Sequence, residues 1–174
     1  AASRYLKHRA PDLDAAIELG GEDAKLLYLS NGVELRMNEA CAGGTGAFID
    51  QMASLLDVDA AGLNKLASEA QISHPMASRC GVFAKTDLVA LLNGGVPKSE
   101  VARSVLDAVA EQTVSGLACG RPVRGKIAFL GGPLTFLSEL RAAFERRLSS
   151  TGTTFASFCD AHCAVAIGAA LEGM

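Results

Sequence analysis

Two of the five cysteines, Cys41 and Cys80, each lie where the sequence predicts the start of a helix. A helix N-terminus presents unpaired N–H groups and the positive end of the helix dipole. Both features stabilise a thiolate or a reduced, negatively charged metal cluster. An iron–sulfur cluster normally takes four cysteines, so a symmetric dimer would have to supply two from each chain. Taken singly, each cysteine is more often a small hydrophobic residue of the core.

Two diglycine turns carry a second possible chemistry. Residues 18–25 join two predicted strands through Gly20 and Gly21, where backbone N–H groups can approach a phosphate and neighbouring carboxylates can orient a metal-bound water. Gly131 and Gly132 follow a third strand and precede a helix, which is where α/β sheets bind nucleotides. Each turn is also compatible with a purely structural tight turn, but two of them in one small domain favour nucleotide binding.

Other candidate groups give weaker signals. The glycine-rich segment 43–46 lacks the Lys-Ser/Thr of a Walker A loop and the full dinucleotide fingerprint. Cys159, His162 and Cys163 have the spacing of a local metal corner, yet no fourth ligand is evident. We therefore expect this group to pack in the core, and we expect the same of Cys119.

Composition narrows the class of protein. With 174 residues, 49% of them hydrophobic, the chain can bury a core as one compact domain. A net charge of −3 with scattered basic residues argues against nucleic acid or an anionic membrane as a partner. No apolar run approaches the roughly 20 residues of a membrane span, and no signal-peptide core is evident. The odd number of cysteines argues against a disulfide framework, so we predict a cytoplasmic location.

The periodicity predicts an α/β domain at residues 13–174 that follows a polar leading segment at residues 1–12. Strands are predicted at 14–19, 24–29, 33–37, 126–130 and around Phe155, the first three forming an antiparallel meander. The string 30–32, Ser-Asn-Gly, is a strong hairpin signal within this meander. Helices are predicted at 48–56, 59–67, 83–92, 98–118, 137–148 and 161–171.

Together these strings resemble the ATP-dependent activators of 2-hydroxyacyl-CoA dehydratases and the related ATPase subunits of benzoyl-CoA reductase. The separation of Cys41 from Cys80 also resembles that of the family. The longer, multidomain activator-related proteins are the most similar group. The matching segments occur in order and cover nearly the whole chain from about residue 12: 18–25, 37–48, 77–87, 131–133 and 166–170.

The resemblance implies a ribonuclease H-like lobe of the acetate/sugar kinase, actin and heat-shock chaperone type, with a mixed sheet and flanking helices. It also implies a [4Fe–4S] cluster shared across a homodimer, with Cys41 and Cys80 as the ligands of each protomer. Glu18 stands where relatives usually carry Asp and becomes the candidate catalytic residue. The predicted ATP or ADP site, with Mg²⁺, comprises residues expected to face the phosphates or the adenosine: Gly20, Gly21, Lys25, Gly44, Thr45, Gly46, Gly131 and Gly132.

Such activators begin with an N-terminal lobe that carries another phosphate loop, of the Asp-x-Gly-Ser-Thr kind, and no such string occurs here. We therefore expect a second-lobe fragment with weak ATP binding and little ATPase activity. The implied partners are a second copy, a dehydratase or reductase component and a low-potential electron donor. Two alternatives stay open: a sugar or carboxylate kinase fragment of the same fold, and a non-catalytic assembly lobe.

Overall fold

The computed structural model describes residues 1–38, 43–77, 80–149 and 152–171. A five-stranded sheet has the order β3-β2-β1-β4-β5. The strands are β1 Ala15–Leu19, β2 Ala24–Tyr28, β3 Glu34–Met37, β4 Lys126–Leu130 and β5 Thr154–Ala156. The helices are α1 Ala2–Arg9, α2 Gly46–Leu55, α3 Ala60–Ser68, α4 Gly81–Asn93, α5 Lys98–Ala118, α6 Gly132–Phe136, α7 Ser138–Leu148 and α8 Ala164–Ala170.

The sheet is mixed, as expected. Strands β1, β2 and β3 form the predicted antiparallel meander, and β4 and β5 run parallel to β1. Gly32 occupies the second turn with a φ of +95°, a conformation that glycine adopts without steric cost. Because β1 and β4 are parallel neighbours, their carboxyl ends lie at the same edge of the sheet, and both diglycine turns follow at this edge.

The two faces of the sheet bury different layers. Ile17 and Phe129 belong to a large hydrophobic cluster with α2 to α7, of which α5 is the longest helix. Ala16 and Ala128, one residue earlier in the same strands, belong to a smaller cluster with α1 and α8. This alternation follows from the two-residue period of a strand whose two faces are both covered. The fold class predicted from the sequence, α/β with a mixed sheet and flanking helices, is confirmed.

Residues 1–12 contain a helix that the sequence analysis does not predict. Helix α1 buries Tyr5 and Leu6 against the smaller cluster, with α8 as its neighbouring helix. The Tyr5 hydroxyl donates to Asp160 Oδ1 at 2.5 Å, and burial together with this bond raises the pKa of Tyr5 to about 12. Two buried residues in one short helix are too few to produce a visible apolar period, so only tertiary packing reveals the helix.

Capping residues and glycines in the sequence mark the ends of other helices. The Asp59 carboxylate accepts from the Gly62 N–H at 2.7 Å and caps α3, as its position before an apolar run predicts. The segment 72–76 is irregular, and α4 ends at Asn93 before two glycines. Over the described ranges, no helix combines the length and the apolarity that a membrane crossing requires.

Candidate functional site

The first diglycine turn accepts hydrogen bonds from the first residues of helix α2. The Gly20 N–H closes the turn on the carbonyl of Asp23 at 2.8 Å. The N–H groups of Gly46 and Ala47 then donate to the carbonyls of Gly20 and Gly21 at 3.0 and 2.7 Å. A Cβ at Gly46 would lie only 3.2 Å from the Gly20 oxygen, so a glycine allows this close approach.

The two glycines of the second diglycine turn have different surroundings, although the sequence does not distinguish them. Gly131 is buried with φ +89° and ψ 161°, and a Cβ there would lie 2.7 Å from the carbonyl carbon of Leu19 and closer still to its oxygen. Gly132 begins α6 with no such neighbour within 4 Å. Gly131 therefore allows the turn to pack on the end of β1, whereas Gly132 remains open to a ligand.

A cavity of about 280 Å³ connects these segments. One residue from each of three predicted glycine segments lines it, namely Gly21, Gly46 and Gly132. The other lining residues are mostly apolar: Ile49, Asp50, Ala60, Pro133, Phe136 and Leu137. The volume lies just below the roughly 300 Å³ at which ligand pockets usually begin. The cavity is thus large enough for part of a nucleotide and lies beside both diglycine turns.

Glu18 and Lys25 form an ion pair beside the first turn. They are opposite each other in the β1–β2 register, and Lys25 Nζ lies 2.8 Å from Glu18 Oε2. The Glu18 side chain is only 8% exposed, and the second carboxylate near Lys25, that of Asp23, is 3.6 Å away and solvent-exposed. The candidate catalytic carboxylate is therefore held by a lysine and is not among the described residues that line the cavity.

Gly44 contacts α5, and Thr45 directly precedes α2. Gly44 has a φ of +82°, and its carbonyl accepts from the Thr113 hydroxyl at 3.3 Å. Thr45 is fully buried directly before α2. Of the predicted residues in segment 44–46, only Gly46 is among those that line the cavity.

Cys80 is the N-cap of helix α4 and is half-buried. Its carbonyl accepts from the Ala84 N–H at 3.0 Å. A Cβ at the next residue, Gly81, would lie 3.1 Å from the Phe48 ring, so α4 begins against the first turn of α2. The predicted placement of Cys80 at a helix start is confirmed. Cys41 lies outside the described residues.

The start of α4 also carries an exposed apolar surface. Val82 and Phe83 directly follow the Cys80–Gly81 pair and are 72% and 65% exposed. Within the described ranges no three His, Cys, Asp or Glu side chains are grouped so that they could hold a metal ion. One thiol at a helix N-terminus fits a single ligand of a larger centre, so further ligands would have to come from elsewhere.

The remaining cysteines are not buried as expected. Cys119, Cys159 and Cys163 are all exposed, and so is His162. Cys119 adopts φ +46° where the chain leaves α5, and that turn directs it away from the core. The expectation of core packing is wrong for these residues, and the described structure offers no metal corner there.

Several side chains that line the cavity are not predictable from the sequence patterns. Phe136 is the most distinctive, because it is 69% exposed at the end of α6. Asp50 and Ile49 belong to α2 and Ala60 begins α3, so helix packing alone brings them to the cavity. The one signal in the sequence is an aromatic residue four positions after the second diglycine.

Comparison with known proteins agrees with this architecture. The model of the BadF/BadG/BcrA/BcrD ATPase family matches residues 2–173. The (R)-2-hydroxyglutaryl-CoA dehydratase activating ATPase of Acidaminococcus fermentans is 31% identical over 124 residues, which are 70% of this chain and 47% of that protein. The 2-hydroxyisocaproyl-CoA dehydratase activator of Clostridioides difficile is 32% identical over 125 residues, again 70% of this chain and 47% of that protein.

Solved structures agree on the fold. The crystal structure of component A of the Acidaminococcus fermentans dehydratase superposes with a TM-score of 0.87 at 28% identity, covering 98% of this chain and 65% of that one. The activator from Clostridium difficile, solved with bound ADPNP, gives 0.85 at 28% identity, covering 98% and 63%. The chain spans about half the length of the two curated relatives. The family model matches nearly the whole chain, the relatives include dehydratase activators, and the actin-like architecture is shared. This chain therefore belongs to the BadF/BadG/BcrA/BcrD ATPase family.

Proposed function

We propose that the chain is the second lobe of an ATP-dependent activator that passes an electron to a 2-hydroxyacyl-CoA dehydratase or a related acyl-CoA enzyme. The observation that carries the proposal is the convergence of Gly21, Gly46 and Gly132 on one cavity. Three separate segments supply backbone without side chains at the edge of the sheet where nucleotides bind in α/β folds. The helix start with Cys80 packs against Phe48 of α2, the helix whose first residue, Gly46, lines the cavity.

In this proposal the nucleotide phosphates bind at the first diglycine turn, Gly20 and Gly21. Three carboxylates and one lysine border it, those of Glu18, Glu22, Asp23 and Lys25. This excess of negative charge opposes a bare triphosphate, so Mg²⁺ must accompany the nucleotide. An incoming phosphate competes with Glu18 for the Lys25 ammonium, because both are anions within reach of the same cation. Once released, the Glu18 carboxylate can orient the attacking water.

Cys80, together with Cys41, supplies the ligands of a shared [4Fe–4S] cluster. A helix N-terminus, here that of α4, stabilises a bound anion such as a reduced cluster through its dipole. The exposed Val82 and Phe83 would be covered by a second copy of the chain, which brings its own two thiolates. When bound, such a cluster supplies a low-potential electron.

The remaining contacts of the nucleotide come from an N-terminal lobe of the intact protein. About a third of the chain length of the solved relatives lies outside the aligned region, since this chain covers 65% and 63% of them. Closure of two lobes on ATP would change the geometry at the homodimer interface. The dehydratase or reductase component would accept the electron, and a low-potential donor would restore it.

Anaerobic reconstitution with iron and sulfide tests the cluster. We expect broad visible absorption and about four irons per dimer. The variants Cys41→Ser and Cys80→Ser should each lose the iron and the dimer, whereas Cys119→Ser should retain both, because Cys119 is exposed at the far end of α5. A colourless, monomeric wild type, or iron that persists in Cys80→Ser, would contradict the proposal.

A further inference from the structure

Phe136 is a large aromatic side chain that is exposed to solvent on the wall of the cavity. It is 69% exposed, although Leu134 in the same helix is buried. Leaving a phenyl ring in water forgoes the burial that usually stabilises a protein. An exposed ring on the wall of a cavity is therefore a candidate for contact with a ligand.

The ring projects from a rigid support. Leu134 in the same helix is buried, and the Thr135 hydroxyl donates to the Gly131 carbonyl at 2.7 Å. The Leu137 N–H closes the end of the helix on Pro133 at 3.0 Å. On one side the His162 ring lies 5.2 Å from the Phe136 ring, between centroids, at an angle of 49°. The phenyl face is thus held in position before a ligand arrives.

We propose that Phe136 is the stacking platform for the nucleobase, and that this lobe accepts adenine and guanine nucleotides alike. The inference rests on the proposed nucleotide site. With the phosphates at Gly21 and Gly46, the rest of the lining, which includes Phe136, remains for the base. Every base has a π-face, so an aromatic platform binds bases with little regard to their identity.

The rest of the lining supports a lack of base discrimination. Ile49, Ala60 and Leu137 offer aliphatic contact only. Among the described lining residues, Asp50 has the one polar side chain, and a carboxylate accepts from ribose hydroxyls whichever base is attached. Base-specific rejection needs side-chain donors and acceptors at the base edges, which the described lining does not provide. We therefore expect ADP and GDP to bind within about threefold of each other.

Fluorescence gives a direct test, because the chain contains no tryptophan. Phe136→Trp introduces a single fluorophore on the platform, and titration with ADP or GDP should quench it. Ribose 5-phosphate, which lacks a base, should not. The matched control is Ile72→Trp, since Ile72 is 54% exposed in an irregular segment and is not among the residues that line the cavity.

Equilibrium dialysis with ADP and GDP supplies the second measurement. Phe136→Ala should weaken binding of both roughly 5- to 100-fold, and Phe136→Tyr should keep it. If wild type and Phe136→Ala bind ADP equally and Phe136→Trp is not quenched, the stacking inference fails while the nucleotide site stands. Strong preference for one base overturns the claim of tolerance. Absence of binding of either nucleotide by the wild type overturns the proposed site as well.

Discussion

Replacing Gly131 with alanine should destabilise the protein by roughly 2–6 kcal/mol. The backbone at φ +89° and ψ 161° lies in a region that is essentially confined to glycine, which costs other residues about 1–3 kcal/mol. The added methyl also meets the carbonyl group of Leu19, whose carbon would lie 2.7 Å away. Relief of such overpacking by a backbone shift costs about 1–3 kcal/mol more.

The neighbouring residue provides the matched control. Gly132→Ala places its methyl where no atom lies within 4 Å of the new Cβ, and Gly132 is the first residue of α6. Alanine has the higher helix propensity, so this variant should change the free energy of unfolding by less than about 1 kcal/mol. Because Gly132 lines the cavity, the same variant should instead weaken nucleotide binding.

Urea unfolding followed by far-UV circular dichroism measures the difference. With a slope of about 2 kcal/mol/M, a loss of about 4 kcal/mol lowers the midpoint by about 2 M, a large part of a typical total stability of about 5–15 kcal/mol. The slope should stay unchanged. Equal midpoints for the two variants would refute the reasoning, because they would mean that the contact between Gly131 and Leu19 does not constrain the turn.

Three further predictions concern side chains. In urea unfolding, Lys25→Met should lower the free energy of unfolding by about 3 kcal/mol and Glu18→Gln by only about 1 kcal/mol. Lys25→Met leaves the Glu18 carboxylate, which is 8% exposed, without its cation, whereas Glu18→Gln leaves a lysine that is 24% exposed. The opposite order would contradict the ion-pair assignment. Asp59→Ala should cost about 1 kcal/mol in the same assay through loss of the cap on α3, and no change would mean that the cap does not contribute. Hydrogen bonds from the Lys126 backbone N–H and the Ser30 hydroxyl lower the pKa of Asp14. The ionised carboxylate therefore stabilises the fold above its unfolded pKa of about 3.9, and this contribution is lost as the pH falls from there through the lowered pKa of the folded state. Asp14→Asn should therefore be less stable than wild type at pH 7, and the gap should narrow by pH 3; a gap that does not depend on pH would exclude this carboxylate as the cause.

The regular elements were largely predictable from local patterns. The Ser-Asn-Gly turn and alternating strands identify the meander, and the apolar periods identify α2, α5 and α7. Helix α4 begins directly after Cys80, as the sequence predicts, and Pro75 disfavours a helix at the residue before it. Helix α1 escaped prediction because Tyr5 and Leu6 acquire their burial from α8, which is distant in sequence.

The candidate site was predictable in part. Gly20, Gly21, Gly131 and Gly132 mark the edge of the sheet that carries the cavity, because strands followed by diglycine turns are local features. Their separate roles were not predictable. Gly131 and Gly132 are adjacent and identical in type, and only the approach of Leu19 assigns one to packing and the other to the cavity.

The sequence by itself determined the family, the strand–turn–helix order and the positions of the glycines and of Cys80, since these depend on residue type and short-range spacing. The tertiary structure alone decided that Gly21, Gly46, Gly132 and Phe136 share one cavity and that Lys25 holds Glu18. The reason is physical: a cavity and a cross-strand pair arise from the parallel and antiparallel register of β1 with its neighbours, and that register is set by burial over the whole sheet.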